Sequence, residues 1–287
     1  MPGAADVRLS FAAVTDVGRK RAVNEDSYLA ESPVFVVADG MGGHEAGDKA
    51  SAAVVNEFKQ LAARGSVTID DVTRAVEGAH RAVQSVAEGT TRGAGSTLTG
   101  IVLVEHDGNA QWLVVNIGDS RVYRMIATDL MQLTVDHSVV QQLVAEGTLR
   151  PEDAATYVGR NVITRAVGSP DSPPDYWLHP VVTGERLLIC SDGLTGELGD
   201  ETIRAGLTLG GATQQTADAL LTQALESGGR DNVSLIIVDV IAGGRTLDDE
   251  ASTASRFALD THTVDTQTVD VRRGDTQEIP DRGGRRS

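Results

Sequence analysis

The sequence predicts an α+β protein in which strands and helices form a layered sandwich. Three observations carry that expectation: short β-branched apolar runs that read as buried strands, two consecutive segments with helical spacing, and a succession of four strand-like segments with turns between them. Strands in clusters with helices in pairs fit a layered α+β architecture better than a doubly wound parallel sheet.

Taken in order, residues 7–14 alternate weakly and read as a strand, and 34–38 form a short apolar run of the buried kind. Residues 46–63 carry Ala50, Ala53, Val54, Phe58 and Leu61 at helical spacing. Residues 71–87 do the same through Val72, Ala75, Val76, Ala79 and Val83. Segments 98–104, 111–117, 121–126 and 131–133 read as successive strands of an antiparallel meander. A helix near 138–146 and a Pro- and Gly-punctuated stretch up to Trp177 come next. Residues 186–190 read as a strand, 213–226 as a helix and 233–240 as a last strand.

From Gly243 onward large apolar residues become scarce, so the sequence predicts a disordered tail over 242–287. Within it THTVD and TQTVD (261–270) form a tandem repeat. Such composition is usually only a solvated tail; the sharper reading is a phosphothreonine-bearing segment that docks phosphothreonine-binding proteins.

With 287 residues, 40% of them hydrophobic, the chain can bury a sizeable core. The formal charge of −16 argues against nucleic acid as a partner. One cysteine, Cys190, excludes an internal disulfide framework and suits a reducing compartment. No apolar run approaches the roughly 20 residues of a membrane helix, and MPGAADVRLS has no signal-peptide pattern. A cytoplasmic protein without membrane attachment is expected.

Four aspartates flank predicted strands: Asp39 before Gly40, Asp119 in NIGDSR, Asp192 before Gly193, and Asp231 in GGRDNVS. One Asp-Gly alone is usually a turn. Four at strand mouths point instead to a cleft of oxygen donors suited to hard divalent cations. Arg21 stands four residues before Glu25 and Asp26. Alone it reads as half of a surface ion pair; its alternative is a fork for phosphate oxygens.

The segments TDVGRKRAVNEDS, VVADGMGGHEAGDKAS, GSTLTGIVL, NIGDSRVYR, LTVDHS, ICSDGL and GGRDNVSLIIV occur in the order found in the metal-dependent protein phosphatases of the PP2C family. The resemblance spans roughly residues 7–240 and is nearest to bacterial members that oppose eukaryotic-like Ser/Thr kinases. It implies a four-layer αββα sandwich over 7–241, with a flap insertion at about 137–175. It also implies hydrolysis of phosphoserine and phosphothreonine in proteins by a water bridging two Mn²⁺ or Mg²⁺ ions, with a third ion in bacterial members.

Carried across residue by residue, Asp39 would bridge the metals, and the Gly40 carbonyl would bind the second. Asp192 and Asp231 would complete the first shell, Glu25 would reach the second metal largely through water, and Asp26 would accept behind it. Asp119 with Asp192 would hold the third ion, with Asn161 facing it, and Arg21 would hold phosphate. Phosphorylated kinases and their substrates are the implied partners, and a monomer the expected state.

One departure matters: Met41 stands where eukaryotic relatives place a histidine general acid. His44 does not inherit that role, His137 is a candidate by proximity alone, and Cys190 reads as a buried strand residue. Two alternatives compete: a catalytically weak PP2C-like binding module, which would need a broken ligand set, and a phosphatase of anti-anti-sigma regulators, which would usually carry sensor domains ahead of the catalytic part.

Overall fold

Apolar runs that alternate their two faces between separate clusters are the basis of the architecture. The computed structural model describes residues 3–42, 46–64, 66–91, 93–209 and 211–246. The chain opens with β1 (Arg8–Asp16), β2 (Asp26–Glu31) and β3 (Val34–Gly42), followed by α1 (Gly47–Ala62) and α2 (Ile69–Glu88). Next come β4 (Ala94–Ser96), β5 (Leu98–His106), β6 (Asn109–Ile117), β7 (Arg121–Ile126) and β8 (Asp129–Gln132). After α3 (Val139–Ala145) and a 3-10 helix, β9 (Asp175–Pro180) and β10 (Arg186–Cys190) lead to α4 (Asp192–Thr195). The described chain closes with α5 (Asp200–Leu209), α6 (Thr213–Ser227) and β11 (Val233–Ala242).

The strands form two antiparallel sheets, as the α+β class requires. One runs β1-β11-β10-β7-β8; the other runs β2-β3-β5-β6-β9, with β4 added to β3. On β3, Val34 and Val36 face one cluster with Phe58, Val72 and Val76 of α1 and α2. Phe35 and Val37 face the opposite way, into a second cluster with Trp112, Leu187, Ile189, Ile236 and Val238 between the sheets. Leu188, Leu235 and Ile237 turn to a third, with Leu194, Ile203 and Leu220 of the later helices. Strands buried on both faces carry continuous apolar runs, which is why 34–38 and 233–240 were legible. Thr68 starts α2 by accepting from the Asp71 N–H at 3.2 Å, while the Asp71 carboxylate accepts from the Thr68 N–H at 3.0 Å.

Several expectations need correction. β5 and β6 pair in one sheet, whereas β7 and β8 pair in the other, so the four do not form one meander. The chain changes sheets at residues 118–120. Gly118 makes the change at φ +111°, where an added Cβ would sit 2.6 Å from the Thr97 side chain. β3 does not end at Ala38 but continues to Gly42, because β4 pairs with its last residues. The flap region holds the helix expected near 138–146, as α3, and adds the 3-10 helix Pro151–Thr156. Beyond β11, the Arg245 N–H donates to Val181 O at 2.8 Å and Thr183 N–H donates to Arg245 O at 2.9 Å, so pairing continues past Gly243. The rest of the expected tail, with its tandem repeat, lies outside the described residues. Among those residues no helix is long and apolar enough to cross a membrane.

Candidate active site

A cleft of about 250 Å³ is lined by Arg21, Glu25, Asp39, Gly40, Asp119, Asp192 and Asp231, together with Met41, Asn161, Thr97 and Asn232. The seven residues expected to hold metal or phosphate are therefore brought together, Asn161 joins them, and Asp26 stands outside the lining, paired with Asp39 across β2 and β3. His44 lies outside the described residues.

Each side chain is set by backbone constraints. Asp39 lies within β3, opposite Asp26 of β2. Its N–H donates to Thr97 Oγ1 at 2.9 Å, and its carbonyl accepts from Thr97 N–H at 2.8 Å and Ser96 Oγ at 3.1 Å. Gly40 donates its N–H to Glu25 O at 3.1 Å, and a Cβ there would collide with the carbonyls of Gly47 and Glu25. Close approach of three backbone segments thus demands glycine. Asp119 follows the sheet change at Gly118, Asp192 opens α4 directly after β10, and Asp231 stands just before β11.

The charges are unbalanced. Burial, then repulsion from Asp26, Asp192, Asp119 and Asp231, drives the Asp39 carboxyl well above the usual carboxylate range. Burial raises Asp26 to about 7, and burial with repulsion from Asp192 raises Asp119 to about 7. Asp192 is raised by burial and by Asp231. Ser191 Oγ donates to Asp26 Oδ2 at 2.8 Å, but Asp26 Oδ1 and Asp192 Oδ1 are out of solvent without a hydrogen-bond partner among the described residues. Clustered carboxylates with orphaned oxygens and no soft ligand fit hard divalent cations.

Arg21 is half exposed and pairs with Asp231 at 2.6 Å, not with the neighbouring Glu25 and Asp26 that a local ion pair would have used. His137 does not line the cleft. It is buried, and the Gly118 N–H donates to its Nδ1 at 3.1 Å, which leaves the proton on Nε2 facing Asp175 Oδ2 at 3.0 Å. Burial pushes Asp175 up, but hydrogen bonds from His137 and Arg165 outweigh it and hold the carboxyl below its usual range. Cys190 is fully buried, and burial pushes its thiol up to about 12, which excludes a resting thiolate.

Thr97 and Asn232 were missed as individual residues, although GSTLTG and GGRDNVS contain them. Buried Asn232 donates Nδ2 to Val17 O at 2.9 Å and Val23 O at 3.0 Å, and its Oδ1 accepts from Glu25 N–H at 2.9 Å. Its available signal was position: an amide directly after an aspartate at a strand mouth.

An oxygen-lined acidic cleft to which two antiparallel sheets contribute suits divalent cations. The chain belongs to the family described as Protein phosphatase 2C, whose pattern matches residues 18–227. It is similar to the serine/threonine protein phosphatase PstP of Mycobacterium tuberculosis, with 38% identity over 237 residues, covering 81% of this chain and 45% of that protein. It therefore spans less than half the length of that relative. The serine/threonine phosphatase stp of Listeria monocytogenes is 32% identical over 244 residues, covering 78% of this chain and 93% of that protein. A solved catalytic domain of PstP in complex with two manganese ions matches at a TM-score of 0.74 with 36% identity, over 82% of this chain and 99% of that one.

Proposed function

We propose that this chain hydrolyses phosphoserine and phosphothreonine in proteins in a metal-dependent reaction, and so reverses Ser/Thr kinase signalling. The observation that carries the reading is the convergence of Asp39, Asp192 and Asp231 with Arg21 in one cleft. In this reading Asp39, Asp192, Asp231, Glu25 and the Gly40 carbonyl hold two Mn²⁺ or Mg²⁺ ions, and Asp119 with Asp192 holds a third. When bound, the cations supply an acidified water as nucleophile and neutralise charge on the phosphoryl oxygens.

The chain's own groups do the rest. Arg21 presents a planar fork to two phosphate oxygens, and Asp231 holds that fork at the cleft until phosphate arrives. Thr97 and Ser96 fix the Asp39 backbone, so its carboxylate need not be ordered during the reaction. Met41 lines the cleft and has no proton to give the departing seryl or threonyl oxygen. His137 lies off the cleft with its proton engaged by Asp175.

The intact carboxylate set supports an enzyme over a binding module. The same reading takes the chain from residue 7 through the Arg245 pairing as the catalytic domain, with a flap at 137–175, as a monomer in the cytosol, and the chain beyond Thr246 as the segment that phosphothreonine-binding partners would take. The test is hydrolysis of a phosphothreonine peptide with Mn²⁺, with chelator, and by Asp39→Asn. Chelation should abolish turnover, and the substitution should lower kcat/KM by about a thousandfold, about 4 kcal/mol of transition-state stabilisation. Turnover indifferent to both would overturn the metal mechanism.

A further inference from the structure

Arg19 and Lys20 directly precede the cleft-lining Arg21, a run of three basic residues in a chain whose 41 acidic residues outnumber 25 basic ones. The backbone beneath the row is fastened at both ends and in the middle. Gly18 N–H donates to Asp16 Oδ1 at 2.8 Å, and Arg19 N–H donates to Gly229 O at 2.7 Å. Asn232 holds the carbonyls of Val17 and Val23, on either side of the row.

Among the described residues, Arg21 is the one of the three whose side chain forms an ion pair, with Asp231. Arg19 and Lys20 are exposed and form no ion pair among the described residues. Arg230, from the adjoining turn, is by contrast neutralised by Glu197 at 2.9 Å. Solubility does not call for these two cations, since the net charge is already far from zero. A fixed row of uncompensated positive charge beside a phosphate-gripping arginine is instead a complementary surface for anions.

We infer that Arg19 and Lys20 dock acidic side chains beside the phosphoresidue, so that phosphorylated segments rich in Asp and Glu are the favoured substrates. The inference rests on the phosphatase reading above. Its reach follows from proximity in the chain: Arg19 and Lys20 lie in the turn that leads directly into Arg21. Acidic residues within two or three positions of the phosphoresidue are therefore the ones read.

The experiment compares two phosphothreonine peptides with Mn²⁺, one flanked by Glu and one by Lys at the same positions. Wild type should favour the Glu-flanked peptide in kcat/KM by about three- to tenfold at low salt, the scale of two exposed charge pairs, and raising salt should shrink that ratio. The ratio should fall to about one in Arg19→Ala/Lys20→Ala and invert in Arg19→Glu/Lys20→Glu. A wild-type ratio near one, or a ratio unmoved by charge reversal, would overturn the inference while leaving the phosphatase reading intact. If wild type hydrolyses neither peptide nor p-nitrophenyl phosphate, the phosphatase reading itself falls, and this inference with it.

Discussion

Glu185 and the cleft aspartates are two different answers to a carboxylate in the protein interior. Glu185, 1% exposed, accepts from Trp112 Nε1 at 2.8 Å, Arg124 Nε at 2.5 Å and Val182 N–H at 2.9 Å. Its donors come from β6, β7 and the turn before β10, so the group ties both sheets together. In the cleft, Asp26 and Asp192 each leave an oxygen out of solvent and unpartnered, and repulsion among Asp26, Asp39, Asp119 and Asp192 adds to the cost of burial. A carboxylate fully answered by the chain is architectural. One left unanswered among others of its kind marks a place that a bound cation would stabilise.

The sharpest way to break this contrast is to remove each kind of carboxylate and measure unfolding in chelator. Glu185→Ala removes the buried carboxylate shared by Trp112, Arg124 and Val182 and should cost about 3–5 kcal/mol in urea denaturation. Asp39→Asn should instead stabilise the metal-free protein, by about 1 kcal/mol, because it relieves repulsion. If the signs were reversed, the assignment of the two regions would be wrong.

The next effect is in pH. Asp26 and Asp119 sit near 7 in the folded protein and near 4 when unfolded, so the native state holds more protons between those values. Their contribution is fully present below about pH 4 and is lost as pH rises through about 7. In chelator, stability should fall by about 2 kcal/mol for each of the two groups between pH 5.5 and 8. Stabilisation by Mn²⁺ should grow across the same interval, because cations need the ionised carboxylates. A metal-free stability that rises over this interval would contradict the clustered-charge account.

His137 tests whether the boundary between the two regions is drawn correctly. His137→Ala should lower stability by about 1–2 kcal/mol through the orphaned Gly118 N–H, with kcat changed less than about tenfold. A loss of about a hundredfold or more would give this histidine the role of general acid. The smallest effect belongs to chain beyond both regions. Ending the protein after Thr246 should leave kcat/KM within about twofold, whereas ending it after Ala242 removes the Arg245 pairing and should cost about 1 kcal/mol of stability.

How far the sequence could be read followed from the range of the forces involved. The stripes of α1 and α2 and the runs in β3, β10 and β11 were legible because burial repeats locally. β2 and β9 were not: they are the two edge strands of their sheet, β2 held by its hairpin to β3 and β9 by the distant β6, and DSYLAE and DYWLHP carry weak alternation. The sheet change at Gly118 has no periodic signature either, so a true pair of hairpins looked like one meander. At the site, every charged residue was found through ordered motifs. Thr97, Ser191 and Asn232 act through neutral hydrogen bonds across long sequence separations, and nothing local distinguishes such a residue from any other polar one.

Asp39 belongs to the sheet containing β3, whereas Asp192 and Asp231 adjoin β10 and β11 of the other. The cleft therefore straddles a joint, and the distance between its carboxylates is a property of how the two sheets are seated on the layer around Phe35 and Trp112. Affinity for ions and tightness of that layer are reciprocally linked, as any two equilibria sharing one coordinate must be. An ion titration of this protein is in that sense a strain gauge on its core, and a packing defect far from any ligand should register there before the protein unfolds.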